Sequence, residues 1–313
     1  MKRILVIGSS GFVGRHVAQA LLADGYAVRC LARNPARVQD LATSGCEVVQ
    51  GDISDLASMQ RALQSVDAVY ISIHTLSPQP ASTAGQGFMD VEMNGLENIV
   101  TACRTNGVRR LMYVTSLGVA PDSPSAWVRG RWEAQQFLLN SGIDVTVIQP
   151  GQIVGVGGQG FDMMVSQARR SVTLMLANGT QKWRNIAVDD LVYYLVGVLN
   201  DPRAYGQCYD VGCDDILTND QMVDITAEVL GRHHPIKIHA PRTLLGALAP
   251  VIERVSKLPK GSMKGLVDSM KADAIGDPTP LRTILPRKPL PYRQAVGRAL
   301  AGSTYLDFVQ TGE

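Results

Sequence analysis

The chain has 313 residues, 45% of them hydrophobic, with 30 Lys plus Arg against 28 Asp plus Glu, a formal net charge of +2. That length can bury a large core as one domain or two, and the balanced charge, with no long run of one sign, argues against nucleic acid as a partner. Five scattered cysteines (Cys30, Cys46, Cys103, Cys208, Cys213) match no metal site or redox pair, and the first apolar run, Ile4 to Ile7, is too short for a signal-peptide core or a membrane span, so a reduced, cytoplasmic protein without a metal is expected.

Short β-branched runs alternate with longer amphipathic stretches through the first half. Ile4–Ile7, Ala27–Leu31, Glu47–Gln50, Ala68–Ile73, Leu111–Thr115 and Val145–Ile148 read as strands. Between them, Val13, Val17, Ala20 and Leu21 share one helical face, as do Leu96, Ile99, Val100 and Cys103. This rhythm predicts an α/β fold, a Rossmann-type doubly wound parallel sheet. After Pro150 the rhythm loosens into a Gly-rich stretch, a helix over Asp190–Leu199, a strand around Cys208–Val211 and a helix over Asn219–Leu230. Residues 1–150 are therefore expected to form a dinucleotide-binding domain. Residues 151–313 are expected to form a smaller, partly interleaved substrate-side region. Prolines punctuate the tail from Pro241 and confine its helices to stretches such as Thr243–Lys257 and Ser262–Ala274.

The first strand runs directly into Gly8-Ser9-Ser10-Gly11-Phe12-Val13-Gly14 and then a helix. In such a turn Gly8 permits the tight exit from the strand, Gly11 lets backbone approach a pyrophosphate, and Gly14 lets helix and strand pack closely. A site for NAD would place an acid at the end of the second strand, but the segment reads Val28 to Asn34 without one. Arg33 stands there instead, with Arg37 a turn later, so NADP(H) is expected as cofactor and NAD is less favoured.

Together with Gly8 to Gly14, the pairs Gly51-Asp52 and Thr115-Ser116 and the run Gln149-Pro150-Gly151 resemble the atypical short-chain dehydrogenase/reductases, with the NmrA-like, NAD(P)H-binding branch the nearest in look. The resemblance implies cofactor contacts from Gly8, Ser10, Gly11, Phe12, Val13 and Gly14 in the loop. It implies adenine contacts from Asp52 and Ile53, a trough lined by Ile73 and His74, and Thr115 and Ser116 facing the nicotinamide. Arg131 would grip the nicotinamide ribose, and Pro150 completes the set. Asp52 reads equally as a turn or helix-cap acid.

Active reductases of the main short-chain type use Tyr-x-x-x-Lys on the helix after the fifth strand; here the positions read Trp127 and Arg131. Arginine holds its proton too strongly to relay it, and indole is no acid. Tyr113 lies on the strand and points into packing. His74, a neutral-range titrating group, and Ser116 are left as catalytic candidates, although a lone histidine is more often structural.

Gly155–Gly160 resembles a loop that closes over substrate and reads equally as a connection. Asp189 or Asp190 can cap the helix to Leu199. The tail's apolar faces suit a lid, a core or a contact between copies, so a homo-oligomer is left open. Lys257, Lys260, Lys264 and Lys271 are interspersed with Glu253, Asp268 and Asp273, so membrane contact is not expected.

The favoured function is an NADPH-dependent oxidoreductase that transfers hydride to a small carbonyl or conjugated alkene, the partner being a small-molecule substrate. The alternative is a non-catalytic NADP(H)-binding redox sensor or assembly protein. A nucleotide-sugar epimerase ranks third, since that chemistry relies on the missing tyrosine.

Overall fold

A computed structural model describes residues 2–73, 88–176, 179–255, 258 and 261–302. Its first half alternates β1 (Arg3–Ile7), α1 (Phe12–Ala23), β2 (Ala27–Ala32), α2 (Gln39–Thr43), β3 (Glu47–Gln50), α3 (Leu56–Ala62), β4 (Ala68–Ile71), α4 (Phe88–Asn106), β5 (Arg110–Val114), α5 (Ala126–Leu139) and β6 (Asp144–Pro150). The second half adds β7 (Gln152–Val154), α6 (Gln159–Ala168), β8 (Val172–Leu176), β9 (Lys182–Ala187), α7 (Val188–Gly197), β10 (Gln207–Val211), β11 (Ile216–Thr218), α8 (Asn219–Val229) and β12 (Ile236–Ala240). Four helices close it: α9 (Arg242–Val255), α10 (Ser262–Ser269), α11 (Thr279–Ile284) and α12 (Tyr292–Leu300).

Seven strands form one parallel sheet in the order β10-β6-β5-β4-β1-β2-β3. Successive side chains on a strand face opposite sides, and both sides are covered here, so most positions are apolar and the buried polar ones, such as Arg29 and Arg110, are hydrogen-bonded. Ile4, Val6, Cys30, Tyr70 and Met112 pack with Val17, Leu21, Leu191 and Leu195 of α1 and α7. Leu5, Ile7, Val69, Leu111 and Tyr113 pack on the other side with Met59, Leu96, Ile99 and Ala134 of α3, α4 and α5.

The second half is threaded into the first. β10 extends the main sheet beside β6, and α7 lies on α1. A separate core, including Phe161, Met164, Met222, Val223, Tyr292 and Val296, joins α6, α8 and α12. β12 pairs in parallel with β8.

One expectation for this half needs revision. The N-cap of α7 is Ala187, with no side-chain cap; Asp190 instead accepts hydrogen bonds from Arg287 Nε and Leu290 N, both at 2.8 Å, and Asp189 lies 3.6 Å from Arg298. Of the glycines after β7, two abut Phe12: a Cβ on Gly155 would fall 2.6 Å from Phe12 Cζ, and one on Gly158 about 3.1 Å from the same ring. Among the described residues, no helix is long and apolar enough to cross a membrane.

Candidate cofactor and active site

The strand order reverses direction between β1 and β4, and ligands of open parallel sheets sit in the crevice at such a point, beyond the carboxyl ends of the strands. Gly8 follows β1 there with φ +90, and a Cβ on it would overlap the carbonyl oxygen of Ser72, just past β4. A Cβ on Gly14 would overlap the Gly8 carbonyl, so this glycine seats α1 on the turn. Gly11 differs: it is exposed, and its missing Cβ would meet only Gly8 O, at 3.2 Å, so the space beside it is open to a ligand.

Gly11 is also the N-cap of α1, which has no side-chain cap and no acid in its first turn. The free N–H groups and helix dipole therefore favour an anion. Ser9 Oγ ties the loop to β2 through Leu31 O at 3.2 Å, while Ser10, Phe12 and Val13 are half-buried along the crevice.

At the end of β2, exposed Arg33 joins Gln50, Gly51, Asp52, Asp55, Ser58 and Arg61 around a depression of about 390 Å³. Arg61 was not picked out from the sequence, because a cation in the last turn of a helix has an ordinary local explanation. Asp52 builds an Asx turn: its Oδ1 accepts from Ser54 N and Ser54 Oγ, both at 2.9 Å, and its N–H donates to Ser58 Oγ at 3.1 Å. Ile53 is fixed against α4, where Asn98 Nδ2 donates to its carbonyl at 2.9 Å and a Cβ on Gly95 would fall 2.5 Å from its Cδ1.

At the other end of the crevice, Tyr113 turns from β5 towards α4 and α5. Its hydroxyl donates to Glu92 Oε1, and Arg131 Nη1 donates to both, at 2.9 Å to each. Arg131 Nη2 also reaches Ile73 O at 3.3 Å. Burial above all, with Glu92 beside it, pushes the Tyr113 hydroxyl well above the usual phenol range. Burial opposes the charge on Arg131, but Glu92 and Tyr113 outweigh it and hold the guanidinium protonated.

Three buried polar atoms here have no hydrogen-bond partner among the described residues: Thr115 Oγ1, Trp127 Nε1 and Arg131 Nε. Such atoms are costly to leave unsatisfied. The residues lie just past β5 and one turn apart on α5. With the uncapped α1 they fit a dinucleotide, whose pyrophosphate would meet the helix and whose ribose and nicotinamide amide would meet the unpaired groups. Ser116 is half-buried beside Thr115, and Pro150 is buried at the end of β6, its carbonyl accepting from Leu117 N at 2.9 Å. His74 lies outside the described residues. All five cysteines are free; burial pushes the Cys103 and Cys208 thiols up to about 12, so neither is a reactive thiolate at neutral pH.

A parallel sheet with a glycine cradle at its switch point and an uncapped helix beyond defines a Rossmann-type NAD(P)-binding oxidoreductase fold. A family model described as NAD(P)H-binding matches residues 8–202, and the chain belongs to that family, the branch its motifs resemble. It is 27% identical over 231 residues to an NAD(P)H azoreductase of Xenophilus azovorans, covering 73% of this chain and 74% of the relative. It is 29% identical over 252 residues to the (4-alkanoyl-5-oxo-2,5-dihydrofuran-3-yl)methyl phosphate reductase of Streptomyces griseus, covering 79% and 82% respectively. Among solved structures, an NADPH-dependent quinone oxidoreductase of Escherichia coli complexed with NADPH superposes with TM-score 0.73 at 21% identity, over 95% of this chain and 99% of that one.

Proposed function

We propose that the chain is an NADPH-dependent reductase that passes hydride to a small conjugated acceptor, a carbonyl or an activated alkene, without a strong side-chain acid. The observation that carries this reading is the fate of the three groups nearest to a catalytic acid. Tyr113 is sealed between Glu92 and Arg131, Trp127 replaces the usual tyrosine, and Arg131 replaces the usual lysine. Bound NADPH supplies the hydride; the protein positions the acceptor and excludes water. An extended conjugated acceptor delocalises the charge it gains and needs only a weak proton donor.

In this reading Gly8, Ser10, Gly11, Phe12, Val13 and Gly14 hold the pyrophosphate. Asp52 and Ile53 hold the adenine, Arg33 takes the 2′-phosphate with Arg61, and Ile73, Thr115, Arg131 and Pro150 frame the nicotinamide side. His74 and Ser116 are the polar groups proposed to reach the acceptor. Residues 1–150 serve as the cofactor half and 151–313 as the substrate half. The reductase names of the two relatives support catalysis over a sensor or assembly role, which is not favoured.

A panel of quinones, azo and triphenylmethane dyes, enals and simple ketones, followed by loss of NADPH absorbance, tests the reading. Turnover of the conjugated acceptors is expected, with simple ketones unreactive. Reduction of simple ketones only, or tight NADPH binding without turnover of any acceptor, would overturn it.

A further inference from the structure

Charge is unevenly spread along this chain. Residues 241–273 carry six cations, Arg242, Arg254, Lys257, Lys260, Lys264 and Lys271, against the acids Glu253, Asp268 and Asp273. This stretch is therefore net +3 where the whole chain is +2, which leaves the remainder net −1. The acids are also engaged within the protein. Glu253 is 8% exposed and accepts from Gly261 N at 3.0 Å and Met263 N at 2.8 Å, Asp268 pairs with Lys271 at 2.6 Å, and Asp273 accepts from Lys182 N at 2.9 Å. Their presence in the sequence suggested a mixed, solvated face; their partners in the fold remove that objection.

The outer face of α9 is apolar. Leu244, Leu248, Val251 and Val255, spaced i, i+4, i+7 and i+11, are 51%, 43%, 60% and 77% exposed. The one charged side chain described on that exposed surface is Arg254. On the inner side Leu245 packs with Val267 of α10. α10 in turn seats on α5, where Ser125 Oγ donates to Gly265 O at 2.7 Å and a Cβ on Gly265 would fall 3.1 Å from Trp127 Cβ. A surface helix facing water carries charge outwards. An apolar stripe flanked by cations is instead the pattern of a helix lying in a membrane interface.

We propose that α9 docks on a bilayer surface bearing anionic headgroups, with its Leu/Val stripe entering the headgroup boundary and Arg254 and Lys264 meeting the lipid phosphates. This would place α5, with Trp127 and Arg131, one packing layer behind the lipid contact. The surface stands apart from the proposed chemistry, since none of its residues belongs to the cofactor or acceptor site.

Co-sedimentation of the full chain with vesicles tests it. Binding is expected to phosphatidylcholine vesicles containing phosphatidylglycerol at low salt, with little binding to phosphatidylcholine alone and loss of binding as salt screens the cations. Leu248→Glu/Val251→Glu and, separately, Arg254→Glu/Lys264→Glu should each weaken binding by about tenfold or more, while circular dichroism and NADPH affinity in solution stay unchanged. No binding by the parent chain, or binding by both variants as strong as that of the parent, would overturn the proposal. So would sedimentation velocity showing a dimer that Leu248→Glu/Val251→Glu dissolves, since a second copy would then cover the face.

Discussion

Arg131 is held where burial disfavours charge, and its strong basicity depends on Glu92, which is fully buried on α4. A carboxylate there needs its partner, because one member of a buried pair left alone costs far more than the pair contributes. Arg131→Met should therefore destabilise the protein by about 3–5 kcal/mol, read from urea unfolding, and Glu92→Leu/Arg131→Met should recover most of that loss. If Arg131 Nε bonds the nicotinamide ribose, NADPH affinity stays weakened in both variants; recovery of affinity along with stability would make the residue purely structural. Arg33 sits at the opposite extreme, exposed at the rim of the depression beside Gln50 and Asp52. Arg33→Asp should cost about 1.5–3 kcal/mol of NADPH binding, roughly ten- to hundredfold in KM, and leave NADH little changed. An unaltered ratio of kcat/KM for the two cofactors would remove Arg33 from the phosphate site.

Elements transmit such effects through close contacts and buried charge. Gly14 lets α1 touch the Gly8 turn, so Gly14→Ala must move helix against strand and should lower NADPH affinity by about tenfold or more, measured by fluorescence titration. On the sheet edge, burial raises the carboxyl of Asp210 in β10, which accepts from Asp277 N at 2.8 Å. The folded state therefore prefers the protonated form, so stability falls as pH rises through the raised value. Asp210→Asn keeps an acceptor and removes that fall. Its melting temperature should match the parent near pH 4 and exceed it by roughly 1–2 °C at neutral pH; a gap that shrinks as pH rises would contradict the assignment.

How much of this could be read beforehand follows from the same physics. Both faces of the main sheet are covered, so its first six strands are largely apolar, interrupted by residues such as Arg29, Arg110 and Thr146, and legible to within a few residues. β9 and β12 mix in polar residues such as Lys182, Arg184, Lys237 and His239 and carried no comparable signal. The helix expected over Ser262–Ala274 stops at Ser269. Glu92 carries no local signal in the sequence; only the fold, by turning Tyr113 and Arg131 towards it, brings the three together. The glycine turn and the place of Arg33 at the end of β2 were legible because they rest on local backbone geometry and strand ends, which a sequence records directly.

At the scale of the whole molecule, the second half is threaded into the first, with β10 beside β6, α7 on α1 and one core running through both. Within the second half, Asp190, 1% exposed, accepts from Arg287 Nε and Leu290 N and so ties the segment before α12 to the first turn of α7. α12 in turn contributes Tyr292, Ala295 and Val296 to the core shared with α6 and α8, and Tyr292 bonds Thr226 at 2.9 Å. Removing the Asp190 carboxylate takes away both acceptors at once. Asp190→Ala should therefore cost about 3 kcal/mol and loosen α12 before the main sheet, because the glycine cradle and β1 to β6 make no use of that carboxylate. Limited proteolysis should then cut first between α11 and α12, in residues 285–291, while NADPH binding by the uncut variant stays close to that of the parent. If cofactor affinity fell with stability, or if the first cut appeared within residues 2–73, α12 and the glycine cradle would unfold as a single cooperative unit rather than α12 loosening by itself.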